Sequence, residues 1–84
     1  MTTSPEHIIE LIYAFRRSKT MFAAVELGVF ERFEHGPATV DDFPGFDRLA
    51  IERLLDACVS LGLLEKDGTA YRNAPVASRY LVRD

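Results

Sequence analysis

Tryptophan is absent from these 84 residues, cysteine occurs once and histidine only twice. A lone Cys58 cannot close an intramolecular bridge, and secreted domains of this length usually rely on several. The expected setting is therefore a reducing cytoplasm. A structural zinc wants about four Cys or His ligands in paired spacings, and Cys58, His7 and His35 are too few and too scattered. No metal site is expected. Glycine is sparse too: Gly28, Gly36, Gly45, Gly62 and Gly68 are never closer than six residues, so no glycine-rich loop can cradle a nucleotide phosphate.

The start, Met-Thr-Thr-Ser-Pro-Glu, lacks the basic region and apolar core of a secretory signal. No apolar run approaches the roughly 18 residues of a membrane span. Basic residues are outnumbered, 10 against 13, for a net charge of −3, whereas a nucleic-acid-binding domain of this size normally carries a basic excess. Partners other than nucleic acid or membrane are expected.

What is present is globular composition, 48% hydrophobic and 27% charged, too apolar for disorder. The length allows one small domain, with no room for a catalytic domain of ordinary size. Such a domain buries only about 60% of the surface its unfolded chain exposes. With no disulfide or metal expected, a partner subunit is left to supply the missing stability.

Ser4-Pro5-Glu6 reads as a helix start, with Ser4 as cap and Pro5 at the first helical position. Ile8, Leu11, Ile12 and Phe15 then fall on one stripe at helical spacing. By spacing alone that stripe is a core face. Ile9 and Tyr13 form a second strip on the flank, so this helix carries more apolar surface than one contact needs. Burial on two sides is implied. Residues 16–20 interrupt the pattern, which predicts a bend or break there, with Thr20 capping a second segment that runs to a C′ glycine at Gly28. Val29, Phe30 and Phe33 follow before His35-Gly36-Pro37 ends the turn. Phe15, Phe22, Phe30 and Phe33 are expected mostly in the core, whereas Ile9, Tyr13, Met21 and Val25 are placed outward.

Thr39, with an acid three residues on, predicts a short capped turn at 40–43. Asp47 is the expected cap of the clearest helix, over 47–61, where Ile51, Leu54, Leu55, Cys58 and Leu61 share a face opposite Glu52, Arg53, Asp56 and Ser60. Gly62 closes it. Residues 63–66 and 69–72 then read as two strands around an Asp67-Gly68 type I′ turn. The segment 76–81 reads as a short final helix, with Tyr80 and Leu81 available to pack. The order is that of a mainly α, winged-helix-like domain: N-terminal helices over 4–34, a helix-turn-helix-like part over 39–62, a β-hairpin wing over 63–72 and a closing segment over 74–82.

Little in the chain carries chemistry. Cys58 lies on the apolar stripe between Leu55 and Leu61 and reads as a small buried hydrophobe, not a nucleophile. Asp41-Asp42 and Glu31/Glu34 read as solvated surface, and His7 in the first helical turn as a surface residue. The helix over 47–61 sits where a DNA-recognition helix would. Such a helix needs Arg, Lys, Asn or Gln facing outward. Here Glu52 and Asp56 face that way, and the wing sets Lys66 and Arg72 against Glu65 and Asp67. A polyanion would meet opposing charge.

The stretches FAAVELGVFERF (22–33) and ERLLDACVSLGLLEKDGTAYRNAPVASRYL (52–81) resemble the N-terminal dimerisation domain of the acetylserotonin and plant-type small-molecule O-methyltransferases. Bacterial members that methylate secondary metabolites look closest. The resemblance implies a homodimer intertwined through the N-terminal helices, in which Ile8, Ile9, Ile12, Tyr13, Phe15, Met21, Phe22 and Val25 match the positions that pair. It also implies that Tyr13, Arg17 and Met21 reach the small-molecule acceptor pocket of the partner. In the implied full-length enzyme, S-adenosylmethionine and the catalytic base belong to a following Rossmann-like domain; neither cofactor nor catalytic residue is expected within these residues. The expectation is an excised or truncated domain, or a stand-alone relative. The segment 42–47 is shorter than the family's helix and turn there. Two other readings compete: a winged-helix transcription regulator that binds DNA as a dimer, and a free-standing dimeric adaptor.

Overall fold

The computed structural model describes residues 5–82. Helix α1, Pro5–Glu26, is unbroken. Pro5 takes its first position, where a missing N–H costs nothing; the expected Ser4 cap lies outside the described residues. The break expected over 16–20 does not occur. Thr20 Oγ1 donates to the Arg16 carbonyl at 3.0 Å within the helix and caps nothing. Arg and Lys are good helix formers, so the polar run interrupts a face of the helix and leaves its backbone intact.

Gly28, at φ 71°, reverses the chain after α1, in the left-handed region where a side chain would be strained. Helix α2, Val29–Arg32, follows and buries Val29 and Phe30. A single 3-10 turn, Val40–Asp42, is held by a capping box. The Thr39 hydroxyl accepts from the Asp41 N–H at 3.3 Å, and the Thr39 N–H donates to Asp42 Oδ2 at 2.8 Å. Helix α3, Arg48–Ser60, starts at its predicted cap, with Asp47 Oδ1 accepting from the Ala50 N–H at 3.0 Å. It buries Ile51, Leu55 and Cys58. Leu61, expected on that face, is the half-buried residue that ends the helix.

Strands β1, Leu64–Asp67, and β2, Ala70–Asn73, pair antiparallel from Leu64↔Asn73 to Asp67↔Ala70. The connecting loop is Gly68-Thr69, one residue later than expected. Only Gly68 has positive φ there, which excludes the type I′ turn and matches the φ signs of type II′. An Asp67-Gly68 loop would force Asp67 into the left-handed region; moving the loop by one leaves that task to glycine alone. On its other edge β2 is bridged by Ala38, whose N–H donates to the Tyr71 carbonyl at 3.0 Å while the Tyr71 N–H donates back at 2.8 Å. Helix α4, Pro75–Tyr80, closes the fold on Ala77. Leu81 packs on the core as expected, joined by Val82, but Tyr80 does not: it is exposed, with the Arg79 guanidinium 5.5 Å from its ring centroid.

The core gathers Ala24, Phe30, Phe33, Phe43, Ile51, Leu55, Cys58, Leu64 and Tyr71. The Phe33 ring lies 5.8 Å from that of Phe43 and 6.5 Å from that of Tyr71. Asn73 Nδ2 donates to the Phe30 carbonyl at 2.9 Å and ties the wing to α2. The result is a mainly helical domain with a small β wing.

Candidate functional site

The apolar stripe of α1 faces away from this core. Ile8, Phe15 and Phe22 recur every seven residues, with Leu11 and Ile12 beside them, and at about 100° per residue they share one side of the helix. Phe15 and Phe22 are 65% and 60% exposed, whereas Ala24, about 200° round from Phe22, is fully buried. The expectation that Phe15 and Phe22 belong to the core is therefore corrected, and the stripe read as a core face is a solvent face in the isolated chain. Spacing identifies an apolar face without saying which body covers it.

The second strip behaves differently along its length. Tyr13, Arg17 and Met21 are four apart and lie roughly on the side that enters the core. Met21 is half-buried; Tyr13 and Arg17 are exposed. Val25 is half-buried and packs against the core. Met21 and Val25, expected outward, are half-buried instead, because the last turns of α1 around Ala24 rest on the globule. Ile9 and Tyr13 are exposed as expected, because every residue from 5 to 13 is exposed. At about 1.5 Å per residue the 22 residues of α1 span about 33 Å, and the described chain measures 46 × 27 × 23 Å. The front half of the helix overhangs its own domain.

A patch containing Ile8, Ile9, Leu11, Ile12, Phe15 and Phe22 exceeds the scattered apolar exposure ordinary on soluble surfaces and marks a contact surface. Lys19 lies 6.0 Å from the Phe15 ring centroid and borders the patch with charge.

The contact between α3 and the wing shows what sequence reasoning missed. Asp56, expected on the outward face of α3, accepts from the Tyr71 hydroxyl at 2.5 Å and from Lys66 Nζ at 3.2 Å. Those bonds pin the wing to α3. The Tyr71 hydroxyl, ahead of Lys66, holds the Asp56 carboxyl below its usual range, against partial burial. Burial, then the Asp56 contact, pushes the Tyr71 phenol up. The partners are 15 positions apart, and no local spacing relates them.

A polar cleft of about 220 Å³ lies beside this pin, lined by Thr39, Asp41, Arg48, Glu52, Lys66 and Tyr71 among others. Its two cations are engaged: Arg48 with Asp41 and Lys66 with Asp56. Asp42 serves the capping box. The surface that would have to read base edges thus offers Glu52 and Arg53, with its flanking lysine already held by a carboxylate. Cys58 is fully buried, and burial pushes its thiol up to about 11, so it is a core residue. Among the described residues no three His, Cys, Asp or Glu side chains group to hold a metal, and no helix is long and apolar enough to cross a membrane.

A helical domain with a small wing and one protruding, outwardly apolar helix is the architecture of an association module. Residues 9–83 match the model of the O-methyltransferase dimerisation domain, and the chain belongs to that family. The N,N-dimethyltransferase OxyT of Streptomyces rimosus is 40% identical over 94 aligned residues, covering 98% of this chain and 27% of that protein. An O-methyltransferase family protein from Burkholderia thailandensis superposes with a TM-score of 0.84 at 29% identity, over 98% of this chain and 25% of that one. Human N-acetylserotonin methyltransferase in complex with SAM gives 0.70 at 35% identity, over 98% and 28%. The chain spans about a quarter of the length of the relatives it matches.

Proposed function

We propose that this domain joins two copies of a small-molecule methyltransferase through α1, and that S-adenosylmethionine and the reacting groups belong to a part of the protein outside these 84 residues. The observation that carries the reading is the exposed stripe Ile8, Leu11, Ile12, Phe15 and Phe22, set opposite the face of α1 that packs on its own core. Each of these side chains is about half exposed, so covering it contributes roughly 1 kcal/mol. Ten of them across a dimer then supply about 10 kcal/mol, comparable with an association cost of about 4–15 kcal/mol. The stripe alone is marginal, so Ile9 and Tyr13 must be covered too.

The residues assigned to the interface are Ile8, Ile9, Leu11, Ile12, Tyr13, Phe15 and Phe22, with the half-buried Met21 and Val25 beside them. Tyr13 and Arg17 are exposed on α1 and so are available to line a second subunit's acceptor pocket beside Met21. The acceptor class is a secondary metabolite. Streptomyces relatives include the OxyT N,N-dimethyltransferase and the 8-O-methyl transferase TcmO, so a shared dimerisation domain accompanies both nitrogen and oxygen acceptors.

Sedimentation velocity tests the pairing. Wild type should run as a dimer at tens of micromolar, and Phe15→Glu, Ile12→Glu, Ile9→Asp and Tyr13→Asp should each weaken it at least tenfold. Wild type and variants running as identical, well-folded monomers would overturn the assignment.

A further inference from the structure

Every residue of α1 from 5 to 13 is exposed, and the first half-buried side chain is Ala14. Within this stretch the helix has no tertiary contact that buries a side chain, although five of the nine residues are large and apolar: Ile8, Ile9, Leu11, Ile12 and Tyr13. Helical stability in proteins comes mostly from packing of such a face and little from propensity. Ile and Tyr are only moderate helix formers, because their side chains lose rotamer freedom against the preceding turn. Ala14 is followed by five exposed residues, and the far end of α1 is anchored from Thr20 onward: Ala24 is fully buried, and Thr20, Met21 and Val25 are half-buried.

From this asymmetry we infer that residues 5–13 form an arm that becomes a stable helix only when a second copy covers it. In the lone subunit the helix begins near Ala14 and the preceding turns fray; association and helix extension are one coupled step. This rests on the dimer reading above and adds to it. It has a functional consequence: Tyr13 is at the end of the arm, so any pocket it helps to line is complete only in the dimer. Dilution therefore removes both the twin and the ordered pocket wall.

Amide hydrogen exchange on the 84-residue chain reads this directly. The variant is Phe22→Glu, which disrupts the stripe from outside the segment being measured, at a residue 60% exposed and facing away from the core. In dimeric wild type the amides of residues 9–13, the first of the arm with helical acceptors, should be protected like those of residues 55–59 in α3. In monomeric Phe22→Glu the same amides should exchange within about tenfold of an unstructured chain while residues 55–59 stay protected. Wild type diluted through its dissociation should show the same selective loss, together with a drop in helical circular dichroism, so the result does not depend on the variant folding. A dimeric wild type whose monomeric form keeps residues 9–13 protected overturns this inference and leaves the dimer reading standing. A wild type monomeric at every concentration removes both.

Discussion

The hydroxyl of Tyr71 and the carboxylate of Asp56 depend on each other, and pH separates their contributions. The Asp56 carboxyl titrates lower in the folded chain than its ordinary value of 3.8. Its contribution to stability is therefore complete above that value and is lost as pH falls through the lower, folded one. The Tyr71 phenol is raised above its ordinary 10.0, so its contribution is complete below that value and is lost as pH rises through the raised one. Tyr71→Phe should cost about 1 kcal/mol at neutral pH in urea unfolding. The gap to wild type should narrow below about pH 4, where the carboxylate is protonated in the unfolded chain, and again at strongly alkaline pH, where the phenylalanine variant has no phenol to titrate. A gap constant from acid to alkali would show that the bond contributes nothing. Cys58 offers a simpler test. Its thiol is raised to about 11 and is fully buried, so a disulfide reagent at neutral pH should label it no faster than the chain unfolds. Cys58→Ser should be less stable than Cys58→Ala, because a hydroxyl in that apolar site has at best the Leu54 carbonyl one turn back as acceptor and loses its water. The burial of Cys58 was legible, since its neighbours on the helix face are within four positions; the Asp56 partnership was not, since it exists only once the wing folds back onto α3.

Element boundaries were legible where a local chemical device sets them. Asp47 caps α3 and Thr39 closes a capping box with Asp42, both as their spacing predicted. Asp47→Ala should lower stability by about 1 kcal/mol. Gly28 illustrates a second device. A Cβ there would meet nothing closer than Glu31 Oε1 at 3.6 Å, so Gly28→Ala is opposed by its φ of 71° and not by crowding; the strain is about 1–2 kcal/mol. A thermal midpoint unchanged by either substitution would refute the assignment. The loop between β1 and β2 was misplaced by one residue because Asp67-Gly68 and Gly68-Thr69 are both acceptable turn sequences, and the choice rests on which residue must take positive φ. In α1 the polar stretch 16–20 looked like a break because a heptad stripe and a core-facing strip share one helix, and each lapses where the other does not.

At the scale of the molecule, two apolar systems are separable. The core that includes Phe30 and Leu55 belongs to one chain, and the α1 stripe belongs to none until a partner arrives. Leu55→Ala should cost about 2–5 kcal/mol at any protein concentration. Phe15→Glu should leave the dilute chain's stability nearly unchanged and abolish the rise in melting temperature with concentration that mass action gives a dimer. Equal sensitivity to concentration in wild type and Phe15→Glu would contradict the separation. The fold class was readable because caps, glycines and periodicity agree at each step. The orientation of α1 was not, because the rule that hides large hydrophobes applies to the assembly and not to the single chain.

The two sides of α1 answer to different masters. Ala24 and Val25 are constrained by what lies beneath them in the same polypeptide, while Ile8, Phe15 and Phe22 are constrained only by a stranger's surface. Drift along that outer row can therefore re-sort which related copies recognise one another, leaving the folded body untouched.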